Sequence, residues 1–240
     1  MKEISLDEML KSGAHFGHKV GRLYPKMKPF VFSSRNGISI INLVKTKEGL
    51  EKAAAFVQKI AEQKGLILFV GTKNQARDII KKYAEKTKMP YISQRWIGGI
   101  FTNFSVILKM INRFKKLKAE AASGELEKYK KKERMKILED IEKMEKNIGG
   151  IENLTRVPDA LYVVDVIVEK TAIREAKKKK IPIIALVDVN GDPEGIDYVI
   201  PANDDATKSI ELITRTIAEA LALKEEDKKE ETADKPKEEK

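Results

Sequence analysis

Residues 94–104 concentrate the groups that nucleic-acid binding requires. This stretch holds the only tryptophan of the chain, next to Arg95, and two glycines that free the backbone for turns. Aromatic rings can stack on unpaired bases, while cationic, hydroxyl and amide groups can contact phosphates and base edges. The rings could equally fill a core, because phenylalanine is usually buried. Both interpretations stay open, and the candidates for contact are Arg95, Trp96, Thr102, Asn103 and Phe104.

Both histidines of the chain, His15 and His18, lie near the N-terminus with Phe16 between them. An H-x-x-H pair could supply two metal ligands, but the chain has no cysteine and no acidic residue lies nearby in sequence. We therefore expect no metal and no cofactor. Stacking or phosphate contact would suit these rings, and so would a purely structural role.

The charge of the chain favours an anionic partner. The formal net charge is +10, and the stretch 224–240 contributes −2 to it, with six Lys and eight Asp or Glu. The remaining residues therefore carry +12, which favours nucleic acid as a partner, although surplus lysine also promotes solubility. No apolar run approaches the roughly 18 residues of a membrane span. We expect a soluble intracellular protein that does not contact a membrane.

An enzyme is the main alternative, because parallel sheets bind ligands at the carboxyl ends of their strands. The sequence contains neither G-x-G-x-x-G nor G-x-x-x-x-G-K-[ST]. A phosphate could lie near Gly71 and Lys73 at a strand-to-helix junction, but one glycine and one lysine do not make a phosphate-binding motif. A cation could lie near Asp188, Asn190 and Asp192, but a turn explains these residues better. We expect no enzymatic activity and no small-molecule substrate; the alternative is a nucleotide- or phosphate-binding α/β enzyme.

Strands that alternate with helices predict the fold. A capped helix (4–13), a β-hairpin (26–42) and a helix (42–64) precede buried strands near 66–70, 91–92, 160–164, 183–187 and 198–200, with helices between them. This order is typical of a doubly wound parallel α/β sheet with right-handed crossovers.

A pair of long helices interrupts the sheet. Ile107, Met110, Phe114, Leu117 and Ala121 step by three and four residues, and Ile137, Ile141, Met144 and Ile148 do the same after a turn at Ser123-Gly124. This spacing predicts an antiparallel coiled-coil hairpin. Its basic tip, either a solvated face or a contact with RNA or protein, contains Lys128, Lys130, Lys131, Lys132 and Arg134.

The domain organisation follows from these elements. We expect residues 1–103 to form the N-terminal helix, the β-hairpin and the first part of the α/β domain, and residues 104–150 to form the protruding helical hairpin. Residues 151–223 then complete the α/β domain. Residues 224–240 form a charged tail without apolar spacing, which we expect to be disordered.

Several stretches together resemble the bacterial small-subunit ribosomal protein family S-two. The resemblance rests on an ordered series of motifs over about residues 2–223: LDEMLKSGAHFG from Leu6, FVGTKNQA from Phe69, RWIGGIFTN from Arg95, NIGGI from Asn147, the stretch 158–182, LVDVNGDP from Leu186 and IDYVIPANDDATKSI from Ile196. Tyr162 departs from the family pattern, which more often has an aliphatic residue or Phe. The ordered combination is far more specific than any one motif.

The resemblance implies a flavodoxin-like sheet domain with a helical hairpin and a structural role in the cytoplasmic small ribosomal subunit. It also implies binding of 16S ribosomal RNA near the head–body junction, contacts with other ribosomal proteins, and help in docking the large S-one ribosomal protein, which supports translation and subunit assembly. A free regulatory RNA-binding protein remains an alternative. The residues that we expect to contact RNA are His15, Phe16, His18, Arg22, Lys26, Lys28, Arg35, Lys73, Gln75, Arg95, Trp96, Thr102, Asn103, Phe104, Lys109 and Arg113, and on the hairpin the five basic tip residues.

Overall fold

A computed structural model describes residues 5–233, with side chains described through residue 221. The elements, in chain order, are α1 (Leu6–Lys11), β1 (Phe16–Lys19), β2 (Val31–Arg35), β3 (Ile38–Ile41), α2 (Leu43–Glu62), β4 (Ile67–Val70), α3 (Asn74–Lys86), β5 (Tyr91–Ile92), α4 (Phe104–Ala122), α5 (Lys131–Ile148), β6 (Ala160–Val164), α6 (Lys170–Lys179), β7 (Ile183–Val187), β8 (Tyr198–Pro201) and α7 (Thr207–Ala233). Short 3-10 turns lie at Val20–Arg22, Pro25–Phe30, Glu125–Lys128 and Gly149–Ile151.

The main sheet is parallel, with the strand order β5-β4-β6-β7-β8. Residues of β4, β6 and β7 alternate between two cores, one beneath α2, α3 and α7 and the other beneath α6 and the base of the α4–α5 pair. Because both faces are covered, these strands are continuous apolar runs. The predicted flavodoxin-like α/β fold is confirmed, and Tyr162 is accommodated because its hydroxyl lies 3.0 Å from that of Thr214.

A second, three-stranded antiparallel sheet has the order β1-β3-β2. Its β2–β3 hairpin was predicted from Asn36-Gly37, and both residues have the positive φ that this turn requires. The third strand, β1, was not predicted. The segment around it packs over the carboxyl ends of the main strands, where the Tyr24 amide donates to the Val189 carbonyl (2.8 Å) and the Asn203 amide donates to the Ala14 carbonyl (3.1 Å).

The helices α4 and α5 contact each other and are linked by an ion pair between Lys118 and Glu145 (3.1 Å). Ile107, Phe114 and Ile148 of the predicted seam are buried, and its other members are half-buried. Ile111, which was not assigned to the seam, is buried as well, because the base of the pair also packs against the sheet. A coiled coil along the whole pair remains a prediction.

The last helix, α7, continues to Ala233, ten residues past the predicted end at Leu223. It therefore occupies part of the stretch for which we expected disorder. The reason is that Lys and Glu are good helix formers even without an apolar face. Residues 234–240 of the predicted tail lie outside the described residues. Within residues 5–233, none of the helices combines the length and the apolar character needed to cross a membrane.

Candidate nucleic-acid interface

The N-terminal segment 9–47 is basic throughout. It contains eight Lys or Arg and no Asp or Glu. Among its cations, Lys19, Arg22, Lys28 and Arg35 are exposed. Lys26 is exposed too, but its amino group pairs with Glu194. A positively charged protein surface attracts a polyanion such as nucleic acid. This segment is therefore the strongest electrostatic feature of the candidate interface.

The loop 94–104 is held by a carboxylate whose role was not predicted from the sequence. Glu175 of α6 is 9 % exposed and accepts five hydrogen bonds from this loop. One oxygen accepts from the indole Nε1 of Trp96 (3.1 Å) and the backbone amide of Gly99 (2.8 Å). The other accepts from the backbone amide of Phe101 (3.2 Å) and from both the amide (3.3 Å) and the hydroxyl (3.1 Å) of Thr102.

These donors keep Glu175 ionised. Burial alone would raise the pKa of its carboxyl, but the hydrogen bonds from Gly99, Trp96, Phe101 and Thr102 outweigh burial and lower the pKa below its ordinary value. The loop is thereby organised around a fixed negative charge.

The aromatic residues of the loop differ in burial, and all of them contact the core on one side. Phe101 is buried and fills the core, whereas Trp96 and Phe104 are half-buried at its edge. Arg95 and Asn103 are exposed and available to a partner. Thr102 is half-buried and its hydroxyl is engaged with Glu175. Further along, Lys109 and Arg113 are exposed on α4.

The carboxyl ends of the main strands carry a dense ionic cluster. The ammonium of Lys73, which follows β4, lies 2.7 Å from Asp204, 2.5 Å from Asp205 and 3.3 Å from Asp165. His18 joins the same cluster, with Nδ1 3.0 Å from Asp188 and Nε2 3.3 Å from Asp205. We call these six residues, Lys73, Asp165, Asp188, Asp204, Asp205 and His18, the carboxyl-edge cluster.

Carboxylates outnumber cations in this cluster, and the pKa values reflect it. Burial, together with the charge of Asp165, raises the pKa of Asp204 to about 7 despite its contact with Lys73. Burial likewise raises the pKa of Asp188, although hydrogen bonds from Val189 and His18 oppose the change. The pKa of Lys73 is raised too, because its contacts with Asp204 and Asp205 outweigh the effect of burial.

This arrangement disfavours the nucleotide-binding alternative. The amides that could have cradled a phosphate are occupied, since Gly71 donates to the Ile92 carbonyl (3.1 Å) and Thr72 donates to Glu169 (2.7 Å). Asp188 and Asp192 take part in a turn, as the sequence favoured: the Gly191 amide donates to the Asp188 carbonyl (3.0 Å), and Asp192 accepts from the Glu194 amide (3.0 Å). A surplus of carboxylates repels a phosphate.

The cluster also contains a set of side chains that could hold a cation. His18, Asp188 and Asp204 each offer a ligand atom, and these atoms lie within 4.8 Å of one another. This set differs from the H-x-x-H pair considered from the sequence, in which we expected no metal. His15 does not belong to it; burial lowers the pKa of its ring, and its Nδ1 has no hydrogen-bond partner.

The structure leaves some predicted contact residues free and engages others. Gln75 and Phe16 are exposed, whereas Lys73 and His18 are committed to the carboxyl-edge cluster. On the hairpin, Lys130, Lys131 and Lys132 are exposed, Arg134 is half-buried, and exposed Lys128 pairs with Glu125 (3.5 Å). Apart from Lys73, the predicted cations therefore fall into three places: the N-terminal segment, the loop with α4, and the hairpin tip.

Two residues of interest were not predicted from the sequence. Glu175 lies far from the loop in sequence, and no local pattern indicates its role. Phe32 was treated only as part of a β-strand, but it is the most exposed large hydrophobic residue among those described, at 74 %. The absence of acidic residues around it was the signal that could have identified it.

Comparison with known proteins agrees with this picture. Residues 9–223 match the family model described as "Ribosomal protein S2". The chain is 47 % identical to the small ribosomal subunit protein uS2 of Coprothermobacter proteolyticus, over 92 % of this chain and 82 % of that protein. It is 44 % identical to the protein of the same name from Marinobacter nauticus, over 91 % of this chain and 88 % of that protein. The chain therefore belongs to the ribosomal protein S2 family, whose members are structural and non-enzymatic.

Proposed function

We propose that this protein binds 16S ribosomal RNA near the head–body junction of the small subunit and helps to dock the large S-one ribosomal protein. As a member of the S2 family it is a structural constituent of the small ribosomal subunit, associated with ribosomal RNA and other ribosomal proteins. The observation that carries the RNA-binding proposal is the basic segment 9–47, in which eight cations occur without one acidic residue.

Exposed cations are the proposed phosphate contacts. In the N-terminal segment these are Arg22, Lys28 and Arg35, and along the loop and α4 they are Arg95, Lys109 and Arg113, all of them exposed. Each phosphate contact releases about 0.7 to 0.9 of a condensed counterion, so binding weakens steeply as salt is raised. Lys26 and Lys73 contribute less to RNA binding in this proposal, because carboxylates within the protein already neutralise them.

Rings and amides are the proposed contacts to bases and sugars. Phe16 is exposed, and the rings of His15, His18, Trp96 and Phe104 are half-buried. Both nitrogens of His18 already contact carboxylates, so this ring is proposed to stack and not to donate hydrogen bonds to RNA. Asn103 and Gln75 are exposed and can donate or accept hydrogen bonds at base edges or 2′-hydroxyls. Thr102 acts indirectly, by holding the loop against Glu175.

The hairpin is proposed to reach a second RNA segment or a neighbouring protein through its basic tip. Two separate contacts would fix the orientation of the protein and raise its apparent affinity. Replacing residues 124–136 with a short turn tests this role. The sheet domain should fold, and incorporation into subunits should weaken; normal incorporation would mean that the tip is only a solvated surface.

Sedimentation tests the function as a whole. In a sucrose gradient of cell lysate, the chain should travel with the small subunit at low salt, about one copy per particle, and high salt should release it. Arg95→Ala should lower subunit occupancy, while the control Lys59→Ala, an exposed cation on α2 beneath the opposite face of the sheet, should not. A chain that stays among free proteins at every salt concentration would contradict the proposal.

A further inference from the structure

The edge strand β2 contains a bulge that isolates Phe32. In the β2–β3 pairing, Val31 lies opposite Ile41 and Ser33 lies opposite Ile40. The step from Val31 to Ser33 spans two residues of β2, whereas the matching step on β3 spans only one. Phe32 is the extra residue and has no partner on β3. Bulges of this kind redirect a side chain and occur next to functional sites. Here the bulge leaves the ring 74 % exposed.

The surface around Phe32 is one face of the small sheet. Lys19 and Arg35 both pair with Ile38, and Phe16 and Ser33 both pair with Ile40, so these residues share a face. Ser39 and Ile41 lie on the opposite face and are buried. Phe32 has no partner on β3, but it directly precedes Ser33 and is exposed, unlike the buried residues of the opposite face, so we group it with this face. We call Phe16, Lys19, Phe32, Arg35 and Ile38 the outer face; all five residues are exposed.

The composition of the outer face indicates its ligand. Two exposed rings are flanked by two cations, within a segment that has no acidic residue. An apolar protein surface would not need the cations, and an acidic peptide would not need the rings. Single-stranded RNA needs both, because its phosphates pair with cations and its unstacked bases lie flat on aromatic rings displayed by a sheet.

We infer that the outer face stacks unpaired bases of RNA, with Phe32 as the principal ring and Arg35 and Lys19 on the flanking phosphates. The inference rests on the proposed function and adds to it a site and a ligand class: an unpaired, single-stranded segment of the ribosomal RNA. The exposed edge of β2 lies beside this ring and can contribute backbone amides to the same segment.

The test measures the affinity of the purified full chain for protein-free 16S ribosomal RNA as salt is varied. Phe32→Ala should raise Kd about 5- to 100-fold without changing the dependence of log Kd on log salt, because stacking releases no counterion. Phe32→Leu, which keeps an apolar side chain but removes the flat ring, should lose most of the same affinity. Ser34→Ala, on the same strand but paired with Ser39 on the opposite face of the sheet, is the matched control and should bind as the unmodified chain does.

Two further variants separate stacking from other roles. Phe32→Trp should retain affinity, and its fluorescence should be quenched when the RNA binds, after subtraction of the signal from Trp96. Arg35→Ala should lower the salt slope by about 0.7 to 0.9, as expected for one phosphate contact.

The outcomes are distinguishable. If Phe32→Ala binds normally while Arg95→Ala binds weakly, the outer face is not the RNA site, although the proposed function stands. If Phe32→Ala binds protein-free RNA normally but is incorporated poorly into subunits, the outer face contacts a ribosomal protein and the inference is overturned. If the unmodified chain does not bind this RNA, both proposals fail.

Discussion

Glu175 and Asp204 are both almost completely buried carboxylates, yet their surroundings shift their pKa values in opposite directions. Glu175 faces five hydrogen-bond donors of one loop. Asp204 faces a single ammonium, that of Lys73, which it shares with Asp165 and Asp205. A buried charge is therefore stabilised when neutral donors converge on it, and destabilised when carboxylates compete for one cation.

The two regions contribute to the stability of the protein in different ways. The bonds of Glu175 stabilise the folded state at neutral pH and fix the loop 94–104, where Arg95 and Asn103 are exposed. The carboxyl-edge cluster joins the ends of four main strands to the N-terminal segment through His18, and its stability depends on protonation. Four changes test this contrast, in descending order of expected effect.

Lys73→Met should be the most damaging change, because it removes the one ammonium from the carboxyl-edge cluster. Breaking a buried ion pair from one side typically costs about 3 to 5 kcal/mol. The loss in free energy of unfolding should be greater at pH 8 than at pH 5, since protonation of Asp204 relieves the repulsion among the carboxylates at lower pH. Urea unfolding at both pH values measures this difference. Lys82→Met, the same substitution in an exposed ion pair with Glu211, should cost at most about 1 kcal/mol; equal losses would contradict the contrast.

Glu175→Gln should destabilise the protein by about 2 to 3 kcal/mol at pH 7, because an amide cannot accept at both positions and leaves buried donors without a partner. The folded-state pKa of Glu175 is lowered, so its contribution is present above the unfolded value of about 4.3 and is lost as pH falls through the folded value. Unfolding in urea across this range measures the effect. Glu219→Gln, at a half-exposed site, is the control, and a similar small change in both variants would refute the role of Glu175.

Asp204→Asn should stabilise the protein by about 1 to 2 kcal/mol at pH 8. The folded-state pKa of Asp204, about 7, lies above its ordinary value of 3.8, so the folded state binds more protons between these values. The free energy of unfolding of the unmodified chain therefore falls as pH rises from about 4 to about 7. The advantage of the variant should vanish near pH 4 in thermal or urea unfolding. A destabilised variant at pH 8 would show that the ion pair with Lys73 outweighs the repulsion.

Trp96→Phe should have the smallest effect of the four, about 1 kcal/mol. It removes one of the five hydrogen bonds to Glu175 and leaves the Gly99 amide on the same oxygen. Arg95→Ala, its exposed neighbour, should leave the free energy of unfolding unchanged while it weakens RNA binding. If Arg95→Ala lowers the free energy of unfolding as much as Trp96→Phe does, the hydrogen bonds to Glu175 are not what distinguishes these two neighbours in the loop.

Much of the fold was predictable, because its signals are local. The five parallel strands are apolar runs bounded by turn residues, and their observed bounds differ from the predicted ones by at most one residue. The Asn36-Gly37 turn and the cap at Ser5, whose hydroxyl accepts from the Glu8 amide (3.1 Å), depend on neighbours within three residues. The strand β1 was missed because Phe16–Lys19 is short and half-exposed, so its pairing with β3 and not its composition makes it a strand.

The candidate interface was predictable only in part. Sequence alone determined the basic character of segment 9–47, the concentration of rings in the loop 94–104 and the α/β class, because each depends on residue types and short spacings. Only the tertiary structure decided which cations are free and which are neutralised. Trp96 meets Glu175 across 79 residues, Lys73 meets Asp204 across 131, and His18 meets Asp188 across 170. The pKa and the availability of a side chain depend on the groups packed around it, and it is the folding of the whole chain that brings those distant groups together.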